Sequence, residues 1–465
     1  WIPRNWESDD FRKPRIDSCA ARSSFGRHVR IFESAKARFG EFARWNLSNG
    51  EEETKYAEVI DQLIKTFAPL RVRITLDLEE YFHKEFYRQL SQVDRSSVPG
   101  YCQLSLFGTT NGECLGWDGL QYDPVRVEFL YTCVLTRLKS LAGGSGEFDD
   151  IKVFIKQEPH KKSKIESGMY RLISAVSLVD TMVDRILFSW AMDGVLNRPL
   201  STPTAIGWTP LQGGYRVLKA ILDSQTDDHG LTVCVDKSSW DWTVQGWLVD
   251  IWKEVLKRLC VAPDWWTKAV DARFVALFEQ ANFRFEDNTR VAQKGKGIMK
   301  SGCYLTLLLN GMGQTALHYL TMNLLGEEMT RNEPMTMGDD TVQPWWEGFD
   351  KYLDLMKELG PVIKGNPQPQ KYIEFCGFYI KDGVTWPVYW RKHLFRIRHL
   401  DPQFAAETLE AYQFLYAYEP AMLGVIREEI WRRCPERYLD DTVLRLFVDG
   451  VNKVVRSTAL PANGE

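Results

Sequence analysis

Met335-Thr336-Met337-Gly338-Asp339-Asp340-Thr341-Val342 is the stretch that decides the fold class. Apolar residues flank a Gly-Asp-Asp centre, a pattern that predicts a hairpin presenting carboxylates at its tip. Two adjacent like charges at such a tip favour a bound cation. Alone, a Gly-Asp-Asp triplet arises by chance in roughly one chain in ten of this length. Its meaning depends on what precedes it.

About a hundred residues upstream, Leu231-Thr232-Val233-Cys234-Val235 alternates with period two and predicts a half-buried strand ending at Asp236. Asp236-Lys237-Ser238-Ser239-Trp240-Asp241-Trp242 follows. A carboxylate at a strand end projects past the sheet rim, where a metal can sit, although an Asp there is otherwise an ordinary cap or turn residue. Between these two sites stands Ser301-Gly302, followed by Thr306 and Asn310. Thr306, Asn310, Gly313 and Gln314 recur at helical spacing and predict a polar face, with Leu305, Leu308, Leu309 and Met312 as the buried stripe. Ribose hydroxyls or a neighbouring loop would satisfy that face. Earlier still, Lys156-Gln157-Glu158-Pro159-His160 leads into Lys161, Lys162 and Lys164 and returns at Arg171. A strand, a basic turn and a returning Arg suit a triphosphate clamp, since Arg binds bidentately and Lys acts as a point charge.

Composition is that of a globular chain: 465 residues, 44% hydrophobic and 26% charged, with two or three lobes expected from the length. The net charge of −4 does not mark a general nucleic-acid binder. Positive charge is local instead. Residues 152–171 hold six Lys/Arg against two Glu, and residues 289–300 hold four Lys/Arg and no acid. An acidic chain with two basic segments suits an enzyme that grips a polyanion in one channel and binds metal elsewhere. Nine cysteines without a C-x-x-C pair disfavour a disulfide framework or a zinc site and fit a reducing compartment. The most apolar stretch, Tyr304 to Leu325, carries Asn310, Gln314 and His318, so a helix of a soluble protein is expected there and no membrane span. The chain begins at Trp1, as expected of a piece released from a polyprotein or trimmed.

Four motifs in one direction within 185 residues, from Lys156 to Asp340, are far less probable by chance than any one of them. In that order they resemble the RNA-dependent RNA polymerases of positive-strand RNA viruses, which share motifs G, F, A, B, C, D and E. Ser97-Val98-Pro99-Gly100 resembles motif G, Lys156 to Arg171 motif F, Asp236 to Asp241 motif A, Ser301 to Asn310 motif B and Gly338 to Asp340 motif C. Lys364, after a helix expected over 349–359, stands where motif D places its Lys, and Glu374 to Phe378 resembles motif E. Asp241-Trp242-Thr243-Val244, with Gly207-Trp208-Thr209-Pro210 upstream, is most similar to the sobemovirus and polerovirus branch. Lys237-Ser238-Ser239-Trp240 departs from the small residues and Phe more usual there.

The resemblance implies an α+β fold shaped as a closed right hand, with an antiparallel palm sheet backed by helices. Residues 1–175 would form the N-terminal segment and fingers, 176–395 the palm with a fingers insertion near 195–225, and 396–465 a helical thumb. It implies template-directed RNA synthesis replicating and transcribing a viral genome, with two Mg²⁺ ions on Asp236, Asp339 and Asp340 and Mn²⁺ able to substitute. Lys364 would protonate the leaving pyrophosphate. Lys156, Arg171, Asp241, Ser301, Thr306 and Asn310 would bind the nucleoside triphosphate. Ser97, Pro99, Gly100, Lys161, Lys164, Gly302, Cys376 and Gly377 would contact RNA. Template, nascent RNA and ribonucleoside triphosphates are the implied partners. A viral protein primer and other replication proteins are also compatible, in the host cytoplasm within a membrane-associated complex. A reverse transcriptase would lack the Asp241 and Asn310 pair, a mere RNA binder would not need aligned carboxylates, and no G-x-S-x-G elbow makes Ser301 a hydrolase nucleophile.

Overall fold

Asp340–Pro344 is the central strand of a three-stranded antiparallel sheet, with Met335–Met337 on one side and Thr232–Cys234 on the other. The computed structural model describes residues 10–450 apart from Asp228. Met337 pairs with Asp340, so only Gly338 and Asp339 make the turn. Gly338 has φ +58°, a conformation that glycine adopts without the steric cost of a Cβ. Cys234 pairs with Val342, and continuing that register sets Asp236 opposite Asp340. The Thr341 hydroxyl donates to the Val235 carbonyl at 3.2 Å, in keeping with that register.

The helix Thr306–Leu324 packs behind this sheet and is buried on all sides from Leu308 to Met322. The polar face expected from its spacing is therefore enclosed: Asn310 and Gln314 are buried like their apolar neighbours. A helix that is apolar around most of its circumference is an internal element. Glycine permits its closest approaches, since a Cβ at Gly313 would stand 2.9 Å from the Trp252 ring. The helix Glu51–Thr66 tightens into a 3₁₀ turn over Ala68–Leu70, because Pro69 lacks the N–H that would continue it.

A second sheet runs in the order Arg290–Ala292, Asn282–Phe285, Ile151–Ile155, Leu172–Ala175. Its first two strands form a hairpin, with Asn288 at φ +67° in the turn. Ile151, Val153 and Ile155 face inward. Beside this sheet, Leu178–Asn197 is capped by the Ser177 hydroxyl, and its Asp184 forms a buried bidentate pair with Arg273 of the helix Asp264–Phe278, at 2.6 and 3.0 Å.

A third, meandering sheet comprises Ile373–Phe375, Phe378–Lys381 and Val384–Pro387. Helices Trp390–Arg398, Ala405–Leu415, Pro420–Arg433 and Asp441–Asp449 follow; residues 451–465 of the expected helical region lie outside the described residues. Buried apolar side chains form two cores. The larger takes in residues from Ala21 to Leu359. The second gathers this sheet and the C-terminal helices together with Ala205, Tyr215, Leu218 and Leu222. Tyr215 fixes that union by donating to Asp449 at 2.6 Å. Among the described residues no helix is long and apolar enough to cross a membrane, and all nine cysteines are free.

Candidate active site

Strand pairing brings three aspartates to the rim of the first sheet. Asp339 is exposed at the hairpin tip, and Asp340 opens the central strand. Asp236 leaves the neighbouring strand, and its carboxylate lies 3.4 Å from Lys364 Nζ. The same Lys364 donates its backbone N–H to the Asp236 carbonyl at 2.8 Å, because Val362–Ile363 pairs with Lys237–Ser238. Asp340 turns the other way and accepts the Cys376 N–H at 2.7 Å. Cys376 and Gly377, at φ +52° and +76°, form the left-handed turn that aims this N–H. Desolvation raises the Asp339 carboxyl, and it pushes Asp340 up to about 6 with the charges of Asp339 and Asp236 adding to it.

A relay of hydrogen bonds lies alongside. Trp240 Nε1 donates to Asn310 Oδ1 at 2.9 Å, and Asn310 Nδ2 donates to Asp241 Oδ1 at 2.9 Å. The indole can only donate, so it fixes which way the amide points. Burial pushes the Asp241 carboxyl up to about 7 even though Asn310 stabilises its charged form. Ser301 Oγ accepts the Ser174 N–H at 3.1 Å, and Thr306 donates to the Lys300 carbonyl at 2.8 Å. Gly302 is pressed against the strand Leu172–Ala175, where a Cβ would meet the Ser174 carbonyl at 2.8 Å. Ser301 and Gly302 lock the loop before the central helix to the second sheet, and Thr306 braces that loop from the helix start.

Lys156 and Arg171 sit side by side, with the Lys156 N–H donating to the Arg171 carbonyl at 2.8 Å. Their side chains share Glu158, at 3.3 and 2.9 Å. Lys161 and Lys164 are exposed on the turn between them, and His160–Lys161 pairs with Phe11–Arg12. Ser97 is exposed and bonded to Asp94, whereas Pro99 and Gly100 are buried against the start of the helix Leu178–Asn197. Gly100, at φ +65°, has room for no Cβ, with Ser177 Cα at 2.9 Å.

The sequence profile of viral RNA-dependent RNA polymerases matches residues 50–371. The chain belongs to that family. It is 29% identical over 336 residues to the replicase polyprotein P2AB of southern bean mosaic virus, covering 66% of this chain and 32% of that protein. To the replicase polyprotein P2AB of southern cowpea mosaic virus it is 30% identical over 347 residues, 69% of this chain and 33% of that protein. To the RNA-directed RNA polymerase of mushroom bacilliform virus it is 27% identical over 366 residues, 74% of this chain and 86% of that protein. The chain thus spans about one third of the replicase polyproteins it matches. The expected likeness to the sobemovirus and polerovirus branch holds.

Viral RNA-dependent RNA polymerases generally use divalent ions. Among the described residues no three acidic, His or Cys side chains converge as a metal-holding group; Asp340 is engaged by Cys376 and Asp236 by Lys364. Mg²⁺ does not need a cage, since it keeps several waters and takes one or two carboxylates. An all-oxygen set with raised carboxyl pKa values fits such an ion, which would relieve the repulsion. A pH dependence follows. A carboxyl whose folded pKa lies above its unfolded value binds a proton more readily when folded, so its contribution to stability falls as pH rises from about 4 through about 6. Millimolar Mn²⁺ or Mg²⁺ should therefore raise Tm at pH 7.5 and have little effect at pH 5. Scanning fluorimetry checks this, and an equal shift at both pH values would contradict it.

Sequence reasoning passed over three contributions to the carboxylate site. Lys237 is buried beneath the carboxylates, where desolvation lowers its ammonium to about 8 against the pull of Asp339, Asp340 and Asp236. Strand alternation gave the signal, since Val233, Val235 and Lys237 share one face. Trp240 orients Asn310, and the Cys376 N–H braces Asp340. Both are non-local contacts with no sequence period to announce them.

Proposed function

We propose that this chain performs template-directed synthesis of RNA from ribonucleoside triphosphates on an RNA template, replicating and transcribing a viral genome. The reading is supported by the strand register that puts Asp236 opposite Asp340, with Asp339 in the adjoining turn and Lys364 against Asp236. These carboxylates would hold two Mg²⁺ ions, which when bound supply Lewis-acid stabilisation of charge at the attacking and leaving oxygens. Arg171 and Lys156 bind and neutralise the triphosphate, and Lys364 delivers a proton to the leaving pyrophosphate. Asp241 and Asn310 accept from and donate to the ribose 2′-hydroxyl, with Ser301 completing that side and Thr306 supporting the loop. Exposed Ser97, Lys161 and Lys164 track the RNA backbone, and the Cys376-Gly377 turn guides the nascent strand.

Residues 1–175 supply the N-terminal segment and fingers, 176–395 the palm with a fingers insertion near 195–225, and 396–465 the thumb of a closed right hand, with 1–9 and 451–465 outside the described residues. Supporting closure, the N-terminal strand Phe11–Arg12 pairs with His160–Lys161 while the Phe11 ring meets Phe395 of a C-terminal helix at 5.6 Å. Extension of a primed single-stranded RNA with ribonucleotides, compared with deoxynucleotides, tests the reading. Strong preference for ribonucleotides supports it, and preferential use of deoxynucleotides would favour a reverse transcriptase.

Trp240→Phe refines the test. It keeps the packing but removes the donor to Asn310, leaving a buried carbonyl unsatisfied at a cost of about 1–3 kcal/mol. The kcat/KM preference for ribonucleotides over deoxynucleotides should fall about 3–10-fold. An unchanged preference would remove Asn310 from sugar selection.

A further inference from the structure

Glu158 has no part in the mechanism above, yet three cations converge on it. Its carboxylate lies 2.9 Å from Arg171 Nη1, 3.3 Å from Lys156 Nζ and 3.9 Å from Lys392 Nζ. The Glu158 side chain is only 14% exposed. Burial works to raise its carboxyl, and the charges of Arg171, Lys392 and Lys156 outweigh it, so the group is held below its ordinary value. Lys392 comes from a different region, the helix Trp390–Arg398 that follows the third sheet. A cavity of about 340 Å³ separates the Gln157–Pro159 turn from Phe395, His399 and Tyr412 beside that helix, leaving the pair room to shift.

We propose that Glu158 parks Arg171 and Lys156 in the free enzyme, and that Lys392 is the positioning residue that takes over Glu158 when a nucleoside triphosphate draws both cations away. The inference rests on reading Arg171 and Lys156 as triphosphate ligands. A phosphate offers Arg a stronger bidentate partner than one shared carboxylate does. Departure of the two cations would leave Glu158 shielded from water and unpaired, which is costly for a carboxylate. Lys392 stands about 1 Å beyond direct charge-assisted contact, so a small movement closes the pair. Its bond is therefore weak without substrate and strong with it. Nucleotide occupancy is thereby coupled to the position of the helix Trp390–Arg398.

Primer extension with the full chain, read as kcat and KM for the nucleotide, tests the exchange. Lys392→Met should raise KM about 3–10-fold and leave kcat within about twofold, and Lys392→Arg should restore the wild-type KM. In a Glu158→Gln background there is no carboxylate to take over, so Lys392→Met should change KM by less than about twofold. An equal KM penalty in both backgrounds would overturn the exchange and make Lys392 a direct phosphate ligand. No penalty in the wild-type background would overturn it too. Arg171→Met separates this inference from its premise: a raised KM there leaves the triphosphate reading intact whatever Lys392 does, and an unchanged KM overturns the reading itself.

Discussion

Asp339→Ala lowers the rate of nucleotide addition by about a thousandfold or more and leaves Tm unchanged or slightly higher. The side chain stands exposed at a two-residue turn, so little packing depends on it. Desolvation is the largest influence on its carboxyl and raises it, with Lys237 and Arg171 acting against that and Asp236 adding to it. Removing the charge relieves that desolvation in the free protein. Catalysis suffers because a divalent ion held there stabilises charge that develops only in the transition state, worth several kcal/mol, and each 1.36 kcal/mol is about tenfold in rate. Asp339→Asn, which keeps the shape and loses the charge, should fall nearly as far. Single-nucleotide incorporation with Mg²⁺, together with a melting curve, checks both halves. Activity within tenfold of wild type would remove Asp339 from the metal site.

Asp184→Ala should cost about 3–5 kcal/mol of stability, the largest expected loss from a single side chain away from the carboxylates. Asp184 and Arg273 are both almost wholly buried, joined by two hydrogen bonds across neighbouring helices. Truncating the acid strands a guanidinium in the core without its counter-charge. At about 2.1 cal/mol/K of unfolding entropy per residue, Tm of a chain of this length falls by about 3–5 °C. Cys303, two residues beyond Ser301, touches the same carboxylate at 4.0 Å, so the loop carrying Ser301 loosens as well. Asp184→Leu combined with Arg273→Met should recover much of the loss, since an apolar pair of similar volume replaces a desolvated one. Melting curves of the single and double variants decide the matter. A double variant no more stable than Asp184→Ala would show that the pair gives more than mutual neutralisation.

The parts of the site legible in the sequence are those built from local rules. The hairpin around Gly338 follows from strand formers on either side of a glycine that takes the left-handed turn. Thr232–Cys234 follows from alternation. Asp241 and Asn310 are 69 positions apart, and no periodicity predicts that they meet; only the order of motifs pointed to them. Lys237 was passed over for a physical reason, since lysine is almost never fully buried and its alternation with Val233 and Val235 runs against that habit. The basic turn after Lys156 was read as a clamp of cations, while the single acid that gathers them carries no signature of its own. Residues 205–222 join the C-terminal core through contacts such as Tyr215 with Asp449, 234 positions away, which local patterning cannot anticipate.

The most direct measurement offers the wild-type protein a primed RNA template and one ribonucleotide at a time, with Mg²⁺. The expected result is extension by one nucleotide only when the ribonucleotide is complementary to the next template base, with a changed template base changing which one is used. Extension that ignores the template base, or none with any of the four while the same protein binds the primed RNA, would contradict template-directed synthesis at this site.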